Sequence, residues 1–416
     1  MDDHLTLELL RAVHDEDRNP RDLAALALAH LLDLCPHCHR VFHQWRSELE
    51  RSGVGVPELA GEGGPLDAVA QEPQEPLPET LERVAELLDL PLAERVGRVR
   101  LQPERFRGPQ LATLLLEEVR PCLPDRPREA QSIARLARAV VQHEQSTAEN
   151  SGLYVRALAH EGNAARALGE LEAAEELLET ARFFMETQGC EDALAKADLD
   201  NLEGPLRRSQ GRLSEARDLL IRAAEAYAQS GLRVEQARTL ISLGIVWKDL
   251  GQLDRAIEVT NKAGDLLECA PSDARLALYW RHNLAVFYRK RGDARRAREL
   301  MHAAEDLYAR FGDPWTQLRR RSVEGHLAQA EGDIETAEAI FLEVRNGFLR
   351  EGRPLDAALA GRDLASLYGR QRRFAELEEL TREIVAVFEE LQVYPEADAA
   401  RRFLEEATGA GSPTVH

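Results

Sequence analysis

The feature that most constrains this chain is a unit of about 40 residues that recurs six times from about residue 150 onward. At the centre of each copy stands a turn residue: Gly169, Gly211, Gly251, Gly292, Gly332 and Arg372, at intervals of 42, 40, 41, 40 and 40 residues. Five residues after the turn come Ala174, Ala216, Ala256, Ala297, Ala337 and Leu377, and seven before it Gly162, Gly204, Gly244, Ala285, Gly325 and Ala365. Twelve after it stand Ala181, Ala223, Ala263, Ala304, Val344 and Ile384. Small residues in register let two antiparallel helices approach closely, and a turn glycine takes the left-handed conformation that ends the first of them. Composition agrees with helices: aromatics are only 5% of the chain, and β-branched residues are sparse beside Ala, Leu, Glu and Arg.

Larger side chains complete the unit, with Trp247, Tyr288 and Tyr368 four residues before their turns. The pattern resembles the tetratricopeptide repeat family in its longer form, over residues 150–408. That resemblance implies an all-α fold, a right-handed superhelical solenoid of about six helix pairs. Two departures stand out: the proline that usually closes each unit is missing, and the last copy lacks both its turn glycine and its alanine. A terminal unit whose outer face meets water explains the second. Upstream, residues 52–80 are rich in Gly, Pro, Glu and Gln without helical periodicity and read as a flexible linker. Residues 81–149 regain helical signals broken by prolines, which predicts three or four capping helices; residues 409–416 read as a disordered tail.

Residues 1–51 form a separate segment containing AHLLDLCPHCHRVFHQW. Cys35 and Cys38 are spaced to offer two thiolates to one tetrahedral ion, with His30, His37, His39 and His43 near them. A redox pair or buried thiols are the competing readings. The segment resembles the zinc-binding domain of bacterial anti-sigma factors, which implies a structural Zn2+ held by His4, His30, Cys35 and Cys38, with His43 the alternative fourth ligand. Four protein ligands leave no open position for a catalytic water.

Other chemistry is not visible. No lysine follows a glycine, so no phosphate-binding loop exists; His143-Glu144 and His160-Glu161 lack the second histidine of a zincin; no Gly-x-Ser-x-Gly elbow occurs. A binding protein is expected, not an enzyme, and a small-molecule substrate is not expected. A formal charge of −20 disfavours nucleic acid as a partner. The apolar runs are too short for a membrane span and the N-terminus lacks a secretory signal, which predicts a cytoplasmic protein; basic residues that are overwhelmingly Arg suggest a bacterial genome of high GC content.

Within the tetratricopeptide resemblance, positions thirteen, ten, six, three and two residues before each turn line the concave surface. They carry Arg156, Arg166, Arg208, Arg238, Lys248, Arg289, Lys290, Arg319, Arg362 and Arg370 against two acids, Asp198 and Asp249. The two-carboxylate clamp of some family members is not reproduced, because Asn163 is in place but Ala159 stands where its lysine belongs. This basic groove predicts an acidic peptide or acidic protein segment as partner, with Arg208, Arg238, Lys248, Arg289, Lys290, Arg319 and Arg362 as its contacts. The bland alternative pairs these cations with carboxylates on neighbouring helices. A regulator resembling an anti-sigma factor, acting through the N-terminal segment, is the second functional reading.

Purified full-length protein is expected to carry about one zinc per chain, and Cys35→Ser with Cys38→Ser to abolish it while leaving helicity nearly intact. Metal analysis that finds none under reducing, zinc-replete conditions overturns the zinc reading, and reversible disulfide formation supports the redox one.

Overall fold

In a computed structural model, residues 78–142, 148–187, 190–268, 273–391 and 393–409 are described. They form 18 helices and no strand. Four helices come first: α1 (Pro78–Leu88), α2 (Leu92–Leu101), α3 (Pro109–Cys122) and α4 (Pro127–Val141). Six pairs follow: α5 (Ala148–Ala167) with α6 (Leu171–Thr187), α7 (Ala193–Ser209) with α8 (Leu213–Gln229), and α9 (Arg233–Asp249) with α10 (Leu253–Glu268). In the fourth pair α11 (Ala274–Lys290) meets a helix broken at Ala304 into α12 (Ala294–Ala303) and α13 (Glu305–Arg310). The last pairs are α14 (Pro314–Glu331) with α15 (Ile334–Arg350) and α16 (Pro354–Arg370) with α17 (Phe374–Glu390), capped by α18 (Tyr394–Thr408). The described residues, apart from 265–273, belong to one compact unit. His4, His30, Cys35 and Cys38 lie outside the described residues.

Each turn glycine does what its position requires. Gly169, Gly211, Gly251, Gly292 and Gly332 have φ between 76° and 93°. In every pair the amide after the turn residue donates to a carbonyl five residues back, as in Glu170 N to Ala165 O at 3.0 Å and Gln252 N to Trp247 O at 2.9 Å. That bond satisfies a carbonyl the helix end leaves open. Arg372 keeps the geometry in the last pair, with φ 58°, and is the one non-glycine at positive φ among the described residues. Its Arg373 N to Tyr368 O bond is 3.0 Å, so the turn survives the loss of glycine at the cost of a strained residue.

The register of small residues is the contact between paired helices. A Cβ built on Gly244 would meet Ala256 O at 3.3 Å and Phe287 at 3.2 Å, besides Thr260 Oγ1. One on Gly204 would fall 2.7 Å from Leu220, and one on Gly325 2.8 Å from Phe341. The partner alanines at 174, 216, 256, 297 and 337 are fully buried, as are Ala181, Ala223, Ala263 and Ala304. The missing closing proline is compensated from the next unit, where Pro314 and Pro354 open α14 and α16. In the second pair Arg207 occupies the aromatic position; it is buried and bonded to Glu203 at 2.9 Å and to Glu175.

Gly244→Ala is expected to lower stability by about 1–3 kcal/mol by overpacking, despite the better helix propensity of alanine. Gly97→Ala in α2, where nothing lies within 4 Å of the built Cβ, is the control and is expected to raise stability by about 0.5–1 kcal/mol. Urea melts of both variants check this; similar values for the two would mean that the small-residue contact does not limit helix approach.

Candidate functional site

Since the glycine face of each first helix is taken up by its own partner, the positions three, six, ten and thirteen residues before the turn point elsewhere. Several of them reach the first helix of the neighbouring pair, or α18 after the last pair. Arg156 of α5 reaches Asp198 of α7 (2.6 Å), Arg208 of α7 reaches Asp249 of α9 (2.5 Å), and Arg319 of α14 touches Asn283 Oδ1 of α11 (3.4 Å). His326 of α14 is 3.1 Å from Asp363 of α16, and Arg362 pairs with Glu396 of α18. These contacts form a single wall running along the six first helices.

The wall also curves back on itself within this unit. A Cβ built on Gly169 would lie 3.5 Å from Leu391, and one on Gly211 2.7 Å from Pro395, so the turns of the first two pairs meet the end of the sixth. Along it Arg166, Lys248, Arg289 and Arg319 are half-buried and Lys290 is exposed. Desolvation is the leading cause that lowers the pKa of Arg166 to about 10 and of Lys248 to about 8, and it also lowers Arg289, Lys290 and Arg319. Like charges add to it: Arg208 acts on Arg166, Lys248 and Arg319, and Lys290 acts on Lys248. Every lysine or arginine among the described residues whose charge is disfavoured in this way belongs to the wall. Arginines elsewhere move the other way when carboxylates hold them, as Glu343 and Glu324 hold Arg321.

The seven predicted contact residues therefore divide. Arg208 and Lys248 share Asp249, at 2.5 and 2.6 Å, and Arg362 has Glu396. Arg238 faces another cluster, acting on the buried His160 together with Arg120, Arg156 and Asp198. Arg289, Lys290 and Arg319 have no carboxylate within ion-pair distance among the described residues, and Arg289 Nε has no hydrogen-bond partner. Arg166, which the offsets also mark, has only Asn163 Oδ1 at 3.0 Å. Two acids of the wall fall outside the offsets: Asp356 and Asp363, sixteen and nine residues before the last turn. Both are half-buried. Burial raises Asp356, against the pull of Arg353, Arg319 and Arg166, whereas Asp363 is lowered, because the bond from His326 and the charges of Arg362 and Arg289 outweigh burial. The groove is less one-sidedly basic than the sequence pattern suggests. Among the described residues no cluster of His, Cys, Asp and Glu is placed to hold a metal, and no helix is long and apolar enough to cross a membrane.

No family profile matches this sequence, and no curated protein matches it. Solved structures do match its fold. A Rap protein complexed with Competence and Sporulation Factor superposes with a TM-score of 0.61 at 14% identity, covering 73% of this chain and 84% of that one. NprR in complex with its cognate peptide NprX gives 0.55 at 13% identity over 73% and 85%. The Rap conjugation gene regulator of plasmid pLS20, in complex with the Phr* peptide, gives 0.54 at 12% identity over 88% and 94%. With the helix pairs described above, these likenesses define the class: an all-α solenoid of tetratricopeptide-like repeats.

Lys248 supplies a test by pH. With its folded pKa near 8 against about 10.5 unfolded, the folded state releases a proton the unfolded chain retains, so this group makes stability rise with pH between those values. An anion at the wall favours the charged amine, so affinity for an anionic peptide is expected to fall between pH 7 and 9. Lys248→Arg should flatten that fall. A binding profile that is level across this range in the wild type would contradict the desolvated amine.

Proposed function

We propose that this chain is a peptide-responsive regulator whose solenoid takes an extended acidic peptide, or an acidic segment of a protein, along the wall of its first helices. The single observation that carries this reading is the coincidence of position and desolvation: the lysines and arginines whose charge is least comfortable are all in the groove. A folded protein that merely needed structure would pair Arg289 and Arg319 with carboxylates or replace them, since a partly buried charge without a partner is costly. A bound carboxylate compensates them. The peptides named in the NprR and pLS20 regulator structures support a peptide as the class of ligand.

In this reading the protein binds and does not catalyse, and it works in the cytoplasm of a bacterium. The segment of Cys35 and Cys38 is its second module, a structural zinc site on a tether, through which an output resembling that of an anti-sigma factor is delivered. Peptide occupancy in the solenoid and contact by the N-terminal segment are then sensing and response.

Arg289→Glu with Lys290→Glu is expected to lower affinity for acidic heptapeptides by at least tenfold at low salt, and the wild-type affinity to fall as salt rises. Arg289→Met should raise the melting temperature of the free protein while weakening binding, because it removes a desolvated charge. A lower melting temperature, with binding unchanged, would make Arg289 a structural residue and the groove reading wrong.

A further inference from the structure

One six-residue segment touches most of the repeats. Residues 120–125 end α3 and begin the turn to α4. Arg120 lies 3.8 Å from Asp198 of the second pair and 3.4 Å from Glu235 of the third. Asp125 is 3.7 Å from Arg275 of the fourth pair, and Pro124 O accepts a hydrogen bond from Arg353, the residue before α16 of the sixth. Arg275 also reaches Asp313, the N-cap of α14 in the fifth pair, at 3.3 Å.

These partners come from one end of their helices. Glu235, Arg275, Asp313 and Arg353 stand sixteen to nineteen residues before their turns, where the first helices start. The α3–α4 turn therefore lies among the starts of pairs three to six. Two contacts set it against the wall itself. Asp198, which Arg120 approaches, is a wall position that Arg156, another wall position, holds at 2.6 Å. Arg353, which holds Pro124, lies 5.7 Å from the centroid of the Trp315 ring, and Arg319 of the wall lies over the same ring at 4.6 Å. The segment is anchored from behind, because Val119 and Cys122 are buried in the core of the capping helices. The two ends of the wall differ in exposure as well. Glu235, Arg275, Asp313 and Arg353 are half-buried at the starts, whereas Lys290 and Arg370, two residues before their turns, are exposed.

We propose that residues 120–125 are a stopper: they close the groove at the starts of the first helices, so the ligand enters from the turn side, past Arg289 and Lys290, and its leading end halts at Arg120 and Pro124. The proposal rests on the groove reading above and deepens it. It gives the groove one open mouth and makes Arg120 and Arg353, neither of them an expected contact, determinants of which ligands fit. A ligand continued beyond its leading end collides with an anchored helix end, and exclusion by collision is a source of specificity that needs no added attraction. A ligand continued at its trailing end runs out into water.

The experiment uses the full chain and pools of random heptapeptides containing Asp and Glu in three formats: unextended, extended at the N-terminus by a flexible Gly-Ser tail, and extended likewise at the C-terminus. Retained peptide is quantified by mass spectrometry. The wild type is expected to retain the unextended pool and one extended pool alike, and the other extended pool at least tenfold less; the pool that is lost tells which end leads. Arg120→Ala with Arg353→Ala is expected to recover most of the lost pool. A benzophenone on the leading end of the unextended peptides is expected to crosslink to residues 119–126 of the wild type, a readout independent of how the double variant folds. Crosslinks that avoid those residues, or a lost pool that stays lost in a folded double variant, would overturn the stopper. If the wild type treats both extended pools alike, the stopper is wrong and the groove reading stands. If it retains no pool in any format, both fall together.

Discussion

Everything in this solenoid depends on how closely two helices can lie against each other at one point. Where Gly204 or Gly325 passes its partner helix, a single added methyl would collide with Leu220 or Phe341. The partner is an alanine with no exposed surface. Glycine stands at that point in four of the six copies and alanine, Ala285 and Ala365, in the other two, each followed by the same left-handed turn, which sets one pair geometry and therefore one way for pairs to stack. The uniform turn bonds of 2.8 to 3.0 Å from pair to pair are the visible result.

Stacking then creates the site. Because the small-residue face of every first helix is consumed by its partner, the remaining faces line up as a wall, and the sixth pair and α18 return to the turns of the first two. Three cations there, Arg289, Lys290 and Arg319, have no carboxylate within ion-pair distance among the described residues, whereas Arg208, Lys248 and Arg362 do. Arg289 and Arg319 illustrate the difference from Arg182, which is held by Asp200 at 2.8 Å and by Glu203. Arg182 is a joint between helices, whereas Arg289 has no carboxylate within ion-pair distance among the described residues and its Nε has no hydrogen-bond partner. That contrast, more than total charge, is what the proposed binding role rests on in a chain of net charge −20.

Much of this was legible in the sequence because it is periodic. A glycine every 40 residues and an alanine five positions later need no tertiary information to be noticed, and the groove offsets follow from the turn, which is why Lys248, Arg289, Lys290 and Arg319 were found. What escaped was what only closure decides. Asp356 and Asp363 stand at positions that carry no groove residue in an open repeat, and they join the wall because the last pair faces the first and the fifth. Arg207 stands four residues before its turn, where other copies carry an aromatic ring, and its burial beside Glu203 and Glu175 follows from packing that the repeat pattern does not carry. Arg238 satisfied the offset rule but sits with His160 and Asp198, apart from the cations near Asp356 and Asp363.

The measurement that addresses the central claim most directly is backbone hydrogen exchange of the full chain with and without an excess of acidic heptapeptides. The account predicts slower exchange on ligand addition in the first helices of the pairs, above all α5, α11 and α14, while the second helices α6, α8 and α15 change little. Protection confined to the second helices, or no change in any first helix at saturating peptide, would contradict it.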